Sequence, residues 1–443
     1  MERTTCCVVG GGPAGMVLGL LLARAGVEVT VLEKHGDFLR DFRGDTVHPT
    51  TLDLLDELGL GERFAALPQS RLDRVAFPID RDETLVVGDL RRLAGRVRHP
   101  YIAMVPQWDL LDLLADAGAA EPAFTLRMGT EVTELRRDAD GRVRGVVYRT
   151  ADGAEGEIAA DLTVACDGRG STARAQAGLR VVEYPVPMDA WWFRLPRRPE
   201  DGSPGLTPRM SEGRLAVVIP REGYFQIAYL APKGRDAELR ARGIEAFRAD
   251  VAELAPDLAD RVDALESMDD VKHLDVRLDR LQRWHVDGLL CLGDAAHAMS
   301  PVGGVGINLA VQDAVAAATL LAAPLLRGQE GGAGVTPDDL DAVRRRRLLP
   351  TIAVQTVQRL MHRGLVVPVL AGRRGGPPAP IRHLLARFPR LTIVPAYLIG
   401  VGLRPERAPA FARRSSVPGA EPVRADQGSQ SHTRRREREV PQR

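Results

Sequence analysis

Near the start of the chain, Gly10-Gly11-Gly12-Pro13-Ala14-Gly15 follows directly on the apolar run Cys6-Cys7-Val8-Val9. That juxtaposition constrains the fold more than any other feature. It predicts a buried strand over 4–10, a tight turn, a helix over 13–25 closed by Gly26, and a second strand over 27–32 ending at Glu33. Gly10, Gly12 and Gly15 occupy the three positions of G-x-G-x-x-G. The first permits the turn, the second lets backbone approach a pyrophosphate, and the third lets helix and strand close up. The helix start at Pro13 and Ala14 offers free N–H groups to phosphates. Glu33, with Lys34 beside it, stands where an acid accepts from an adenosine ribose, and its charge disfavours a 2′-phosphate on that ribose. The motif specifies a dinucleotide and leaves its identity open.

Almost 300 residues later a second signature appears. Leu289-Leu290-Cys291-Leu292-Gly293-Asp294 reads as a buried strand ending in an acid, continued by Ala295-Ala296-His297 and then Pro301-Val302-Gly303-Gly304-Val305-Gly306-Ile307-Asn308. An Asp at the carboxyl end of a strand suits sugar-like hydroxyls such as a ribityl chain. The glycines then open a helix whose positive end suits the anionic edge of a reduced flavin. The second signature therefore narrows the dinucleotide to FAD.

The bulk numbers bound the rest. A chain of 443 residues, 44% hydrophobic and 27% charged, has room for two or three domains. The formal net charge is +1, but residues 413–443 carry +4 and residues 1–412 carry −3, so the body lacks the field of a nucleic-acid binder. Met-Glu-Arg leads straight into a strand pattern and no apolar run nears the ~20 residues of a membrane span. The expectation is a cytoplasmic protein without stable membrane insertion. Cys6, Cys7, Cys166 and Cys291 read as buried free thiols, and nine scattered His give no metal pattern.

Between the signatures, strands are expected over 74–78 and 84–87 around an Asp80-Arg81-Asp82 turn, with a helix over 108–117. A small meander over 125–159 precedes a strand over 161–166. Residues 180–230 are rich in β-branched and aromatic residues and read as a second, largely antiparallel sheet, followed by an amphipathic helix over 239–254. Further helices are expected over 304–321 and 338–362. The latter carries Arg344 to Arg347, a phosphate or membrane site on one reading and a solvated helix face on the other. The apolar residues Ile393, Val394, Tyr397, Leu398 and Ile399 suggest a helix covering the substrate side. Residues 413–443 have the composition of a disordered tail.

Three pieces in order, Gly10–Gly15 with Glu33, Cys166-Asp167-Gly168-Arg169-Gly170-Ser171-Thr172-Ala173-Arg174, and Gly293-Asp294 with its Pro301–Asn308 continuation, resemble the class A flavin monooxygenases typified by para-hydroxybenzoate and phenol hydroxylases. The resemblance runs from about residue 4 to residue 365. It implies that Asp294 holds ribityl and ribose hydroxyls, that Asp167 and its neighbours touch FAD and the incoming nicotinamide, and that backbone at Gly304–Asn308 meets the isoalloxazine. Arg43 falls where the family places an arginine near the flavin, or it is a loop arginine paired with Asp41 or Asp45. Gln107 falls where a glutamine contacts the flavin. His48 either faces the active site or packs within its loop. The implied cofactor-binding set is Gly10, Gly12, Pro13, Ala14, Gly15, Glu33, Lys34, Arg43, Gln107, Val132, Asp167, Asp294, Pro301, Gly304, Gly306, Ile307 and Asn308, with no metal and no nameable catalytic base.

The implied activity is hydroxylation of an aromatic or quinone-like small molecule by O2 and NAD(P)H through a flavin hydroperoxide. NADH and NADPH are not distinguished, nor is the oligomeric state. Flavin halogenases share the fold, but Trp191-Trp192-Phe193-Arg194-Leu195-Pro196 lacks the spacing of their tryptophan motif. A flavin-linked dehydrogenase or reductase, or a redox-silent FAD-binding accessory protein, are the alternatives. The fold expected is α/β: a Rossmann-like FAD domain from 1–73, 98–179 and 271–365, an inserted antiparallel substrate sheet from 74–97 and 180–270, and a C-terminal helical segment over 366–412.

Overall fold

Strand Glu2–Val9 sits near the middle of an eight-stranded sheet, six of whose strands run in the spatial order His285–Val286, Leu289–Cys291, Glu155–Ala165, Glu2–Val9, Val29–Leu32 and Phe124–Arg127. The structure is a computed structural model describing residues 2–39, 46–78, 84–201, 206–211, 213–373 and 379–415. Pairing through the centre is parallel, and Leu289–Cys291 lies two strands from Glu2–Val9 with only Glu155–Ala165 between them. The two signatures therefore end at one edge of one sheet, where ligands of parallel sheets bind.

The expected strands over 155–159 and 161–166 are one continuous strand, Glu155–Ala165. Its first half pairs antiparallel with Val143–Thr150 while its later residues pair parallel with Glu2–Val9. Phe124–Arg127, expected within the meander, instead extends the parallel sheet beside Val29–Leu32. Helix Pro13–Arg24 packs on the sheet and on the helix Gly306–Gln329, sharing a buried cluster that includes Val8, Met16, Leu20, Val311 and Val315. Helix Gly306–Gln329 is long and apolar enough to cross a bilayer, but 78% of its apolar window is buried inside the protein, as in a core helix.

The second sheet is five-stranded and antiparallel, in the order Thr207–Ser211, Arg214–Pro220, Tyr224–Pro232, Met188–Pro196, Lys272–Leu274. Period-two alternation splits its faces. Trp191, Phe193 and Tyr229 point to one side, where Phe247 of helix Gly243–Leu254 meets the rings of Phe193 and Tyr229 edge-on at 5.3 Å each. Ala190, Trp192, Val217 and Ala228 point to the other, toward a cavity shared with the first sheet. The single helix expected over 239–254 is two, Asp236–Ala241 and Gly243–Leu254. Gly243 has φ of +80°, a left-handed conformation that interrupts the helical ladder.

Arg74–Pro78 and Thr84–Asp89 form the expected antiparallel pair, and the Asp80-Arg81-Asp82 turn lies outside the described residues. The long helix Pro337–Met361 runs into one turn of π-helix, His362–Val366. The four-arginine run on it is neither a free anion site nor a uniformly solvated face. Arg347 is 1% exposed and pairs with Asp313 and Glu406, Arg346 pairs with Glu406, and Arg344 and Arg345 pair with Asp341. Helix Ile393–Gly400 lies over the Thr84–Asp89 strand and lines the cavity. The tail beyond residue 415 lies outside the described residues.

Truncating the central aromatic of the second layer, Phe247→Ala, removes the ring on which Phe193 and Tyr229 rest. The expected cost is about 3–5 kcal/mol, read as a lower thermal midpoint, while Phe247→Leu recovers most of it.

Candidate active site

A single cavity of about 1260 Å³ joins the two signatures. It exceeds the roughly 300–1,000 Å³ of an ordinary ligand pocket, leaving room for a dinucleotide and a substrate together. Of the sequence-derived site residues, Gly10, Gly12, Pro13, Ala14, Glu33, Lys34, Gln107, Val132, Asp167, Asp294, Pro301, Gly304, Gly306 and Ile307 line it. Gly12 and Asp294, 282 positions apart in sequence, face the same space.

Gly15 stands behind the wall, where a Cβ would lie 2.0 Å from the Gly10 carbonyl oxygen, so this approach of helix to strand admits only glycine. Gly10 has φ of +101°, and a Cβ there would meet the Cys166 carbonyl oxygen at 2.5 Å. Asn308 is off the cavity wall. Its side chain is buried and its Oδ1 accepts from the Thr50 and Thr51 hydroxyls at 2.8 and 2.7 Å, tying helix Gly306–Gln329 to helix Pro49–Glu57. Arg43 lies outside the described residues.

The wall suits FAD at both ends. Glu33 is buried, and its carboxylate accepts from Gly11 N–H at 2.8 Å and His35 N–H at 3.0 Å, which fixes the group while its side chain borders the cavity. Asp294 sits on the turn Gly293–Ala295, half-buried, with Oδ2 accepting from Arg169 Nη2 at 3.1 Å. Asp167 accepts from Ala173 N–H through Oδ2, while its buried Oδ1 has no hydrogen-bond partner, an acceptor at the cavity wall awaiting a donor. Burial pushes the Asp167 carboxyl above its usual range. Cys166 also lines the cavity, and burial raises its thiol well above the usual value.

The glycine loop 301–306 is held from several sides. The Gly304 carbonyl accepts from Thr46 Oγ1 at 2.7 Å and faces His48 Nε2 at 2.9 Å, while His48 Nδ1 faces the Ile399 carbonyl at 2.9 Å. His48 is thus a fully buried bridge from the loop to the C-terminal helix and does not face the cavity. A neutral imidazole donates to one carbonyl only. Burial outweighs both carbonyls and pushes His48 down to about 4. Upstream, Gln358 amide nitrogen donates to the Ser300 and Val302 carbonyls, and Ser300 Oγ meets His362 Nε2 at 2.9 Å.

Beyond the loop the cavity turns apolar. Leu72, Ile102, Met104, Leu215, Val217, Ile219, Leu230 and Leu274 line it together with Trp192. Among the described residues Arg221, directly after strand Arg214–Pro220, is the one charged residue that the second sheet region contributes to this wall. It is 4% exposed, and its Nε donates to Gln226 Oε1 at 3.0 Å. Sequence reasoning missed this pair, because an arginine after Pro220 and a glutamine mid-strand carry no local signal. Arg169, by contrast, stood inside the quoted Asp167–Arg174 segment.

Comparison with known proteins places the chain. The family "FAD binding domain" matches residues 3–345. The 6-methylpretetramide 4-monooxygenase of Streptomyces rimosus is 36% identical over 370 residues, 82% of this chain and 84% of that one. The protoasukamycin 4-monooxygenase of Streptomyces nodosus subsp. asukaensis is 28% identical, over 77% and 84%. The solved OxyS anhydrotetracycline hydroxylase of Streptomyces rimosus superposes with a TM-score of 0.68 at 26% identity, over 90% of this chain and 76% of that one.

His48 sets an acid limit. Its pKa in the fold, about 4, lies below the ordinary histidine value of 6.5, so the unfolded chain binds more protons between those values. Stability is whole above about pH 6.5 and falls as pH drops toward 4, by about 2 kcal/mol between pH 7.5 and 5 for His48 alone. In urea titrations at those two pH values, His48→Gln is expected to lose less stability on acidification than the parent. Equal losses would remove the assignment.

Proposed function

The chain belongs to the FAD binding domain family and is an FAD-dependent aromatic monooxygenase, and from that membership we propose that its substrate is a polycyclic or quinone-like phenol hydroxylated at the expense of NAD(P)H. The observation that carries this reading is the continuity of one cavity from the G-x-G-x-x-G turn to an apolar chamber whose sheet wall carries the buried Arg221. Relatives named for 6-methylpretetramide and anhydrotetracycline support it.

When bound, FAD supplies the redox centre that takes two electrons from NAD(P)H and spends them on O2, so that substrate-H, O2, NAD(P)H and a proton give substrate-OH, NAD(P)⁺ and water. The rest is the chain's share. The N–H groups opening helix Pro13–Arg24 would hold the pyrophosphate, and Glu33 would take the adenosine ribose hydroxyls, with Lys34 at the same end. Asp294, oriented by Arg169, accepts from ribityl hydroxyls, and Asp167 offers its spare oxygen nearby. Pro301, Gly304, Gly306 and Ile307 bring backbone and the positive end of helix Gly306–Gln329 to the ring's anionic edge. Gln107 and Val132 complete the wall.

In the chamber the aliphatic side chains exclude water, and Arg221, steadied by Gln226, holds an ionised substrate oxygen. Holding the phenolate rather than the phenol enriches the ring in electrons and activates it toward electrophilic oxygen. Among the described residues the sheet side of the cavity presents no carboxylate or imidazole, so in this reading the substrate enters as the phenolate, its proton left in bulk solvent, and Arg221 keeps it ionised. A cytoplasmic location, where NAD(P)H is supplied, accords with this chemistry.

The test is oxidation of NADH or NADPH by the FAD-loaded protein under air with a panel of polycyclic phenols. Stimulation by substrate, matched by O2 uptake and by incorporation of label from ¹⁸O2, is expected. Substrate-dependent flavin reduction without O2 uptake would instead make it a dehydrogenase. Two variants separate the ends of the cavity. Asp294→Ala is expected to weaken FAD binding roughly tenfold or more, measured by fluorescence titration. Arg221→Met is expected to raise KM for an ionisable phenol by a similar factor while the FAD titration stays unchanged.

A further inference from the structure

Two segments near the C-terminus line the substrate end of the cavity. Leu360 and Leu365, at the π-helical turn, and Leu385 and Leu398, on the helices Ala379–Arg387 and Ile393–Gly400, all line it. Leu360 is also 62% exposed, so the wall and the outer surface meet there. Around this mouth Val367, Leu384, Phe388 and Val394 are exposed as well, Phe388 at 52% and Val394 at 53%. Single exposed apolar side chains need no explanation, but a group of them beside a cavity mouth does.

Charge gives the second observation. From residue 359 to residue 390 the sequence has seven Arg and no Asp or Glu. Arg363, Arg373, Arg387 and Arg390 are exposed, and among the described residues none of these four pairs with an acid. Arg387 lies over the Phe388 ring at 5.5 Å, so cation and apolar face are presented together. Elsewhere the surface arginines are largely paired, as with Arg63 and Asp116 or Arg144 and Asp138. This face is cationic and apolar without relief.

We propose that this face seats the enzyme peripherally on an anionic phospholipid bilayer, with the cavity mouth against the acyl boundary. Aliphatic and aromatic side chains enter the headgroup region while the arginines stay at the phosphates. Two features favour lipid over other occupants. A second copy of this chain would set Arg363, Arg387 and Arg390 against like charges across a two-fold contact. Val367, Leu384, Phe388 and Val394 come from separate segments and are exposed outside the cavity wall, a dispersed set that a deformable bilayer accommodates. An apolar substrate would then enter from the phase in which it dissolves. The docking does not depend on the identity of the reaction.

The experiment is sedimentation of the FAD-loaded full chain with vesicles of phosphatidylglycerol and phosphatidylcholine, against phosphatidylcholine alone. Binding to the anionic vesicles is expected, weakened by added salt. Arg387→Glu with Arg390→Glu, and separately Phe388→Ser, are each expected to lower vesicle affinity by roughly tenfold or more, with flavin content and thermal midpoint like the parent's. No binding to phosphatidylglycerol vesicles would overturn the proposal. So would binding that both variants leave intact, since the basic stretch 413–443 would then be its source.

Discussion

The structure turns on one buried carboxylate. Asp313, with no exposed surface, accepts from His297 Nε2 at 2.6 Å, from Arg347 Nε at 3.0 Å and from Gly293 N–H at 3.3 Å. Burial alone would push its pKa up; His297 and Arg347 outweigh burial and hold it below the usual range. Arg347 in turn reaches Glu406 and the carbonyl of Arg404, a non-glycine residue held at φ of +51°. One acid on the long helix thus ties together the strand-end turn that carries Asp294, the arginine helix and the C-terminal segment. Charges this deep are costly to desolvate, so the network adds little net stability, but removal of any member would leave an uncompensated charge. What it gives is position.

Position matters because the cavity wall is assembled from loops. The turn at 293–295 and the glycine loop 301–306 belong to no sheet, and loops without such ties open at low cost. Here each end of the span is pinned by a buried polar group: Asp313 at Gly293, Gln358 and His362 at Ser300, Thr46 and His48 at Gly304. Of these anchors only Thr46 also borders the cavity. The others form a supporting layer behind the residues that line it, which gives a loop-built site the rigidity of one built on strands.

This division also explains what the sequence reveals. Gly10, Gly12 and Gly15 are legible because their task is local: a turn and a helix start leave a fixed spacing whatever surrounds them. Asp294 is legible because it follows an apolar strand directly. The supporting layer is not. Arg347 sits in a run of four arginines that reads as solvated, and only the approach of Asp313 and Glu406, 34 and 59 positions away, buries it. His48 and Asn308 have the same character, since their partners Ile399, Thr50 and Thr51 lie some 250 to 350 positions off in sequence. Gly243 shows the converse, where a lone glycine within an amphipathic pattern breaks a helix that the periodicity alone would continue.

The polarity of the cavity completes the argument. At the end near the G-x-G-x-x-G turn the wall offers Glu33, Lys34, Asp167, Arg169 and Asp294, groups suited to hydroxyls and phosphates. At the sheet end the described residues offer aliphatic side chains and the guanidinium of Arg221. A charge in such a chamber acts with less screening than one at the surface, so the proposed contact of Arg221 with a phenolate would be stronger there than on the outside of the protein. The apolar surroundings that strengthen it also keep water from the oxygen-transfer step. The proposed preference for an ionisable aromatic and the protection of the reaction from solvent would therefore rest on the same physical arrangement, and a change that wets the chamber would weaken both.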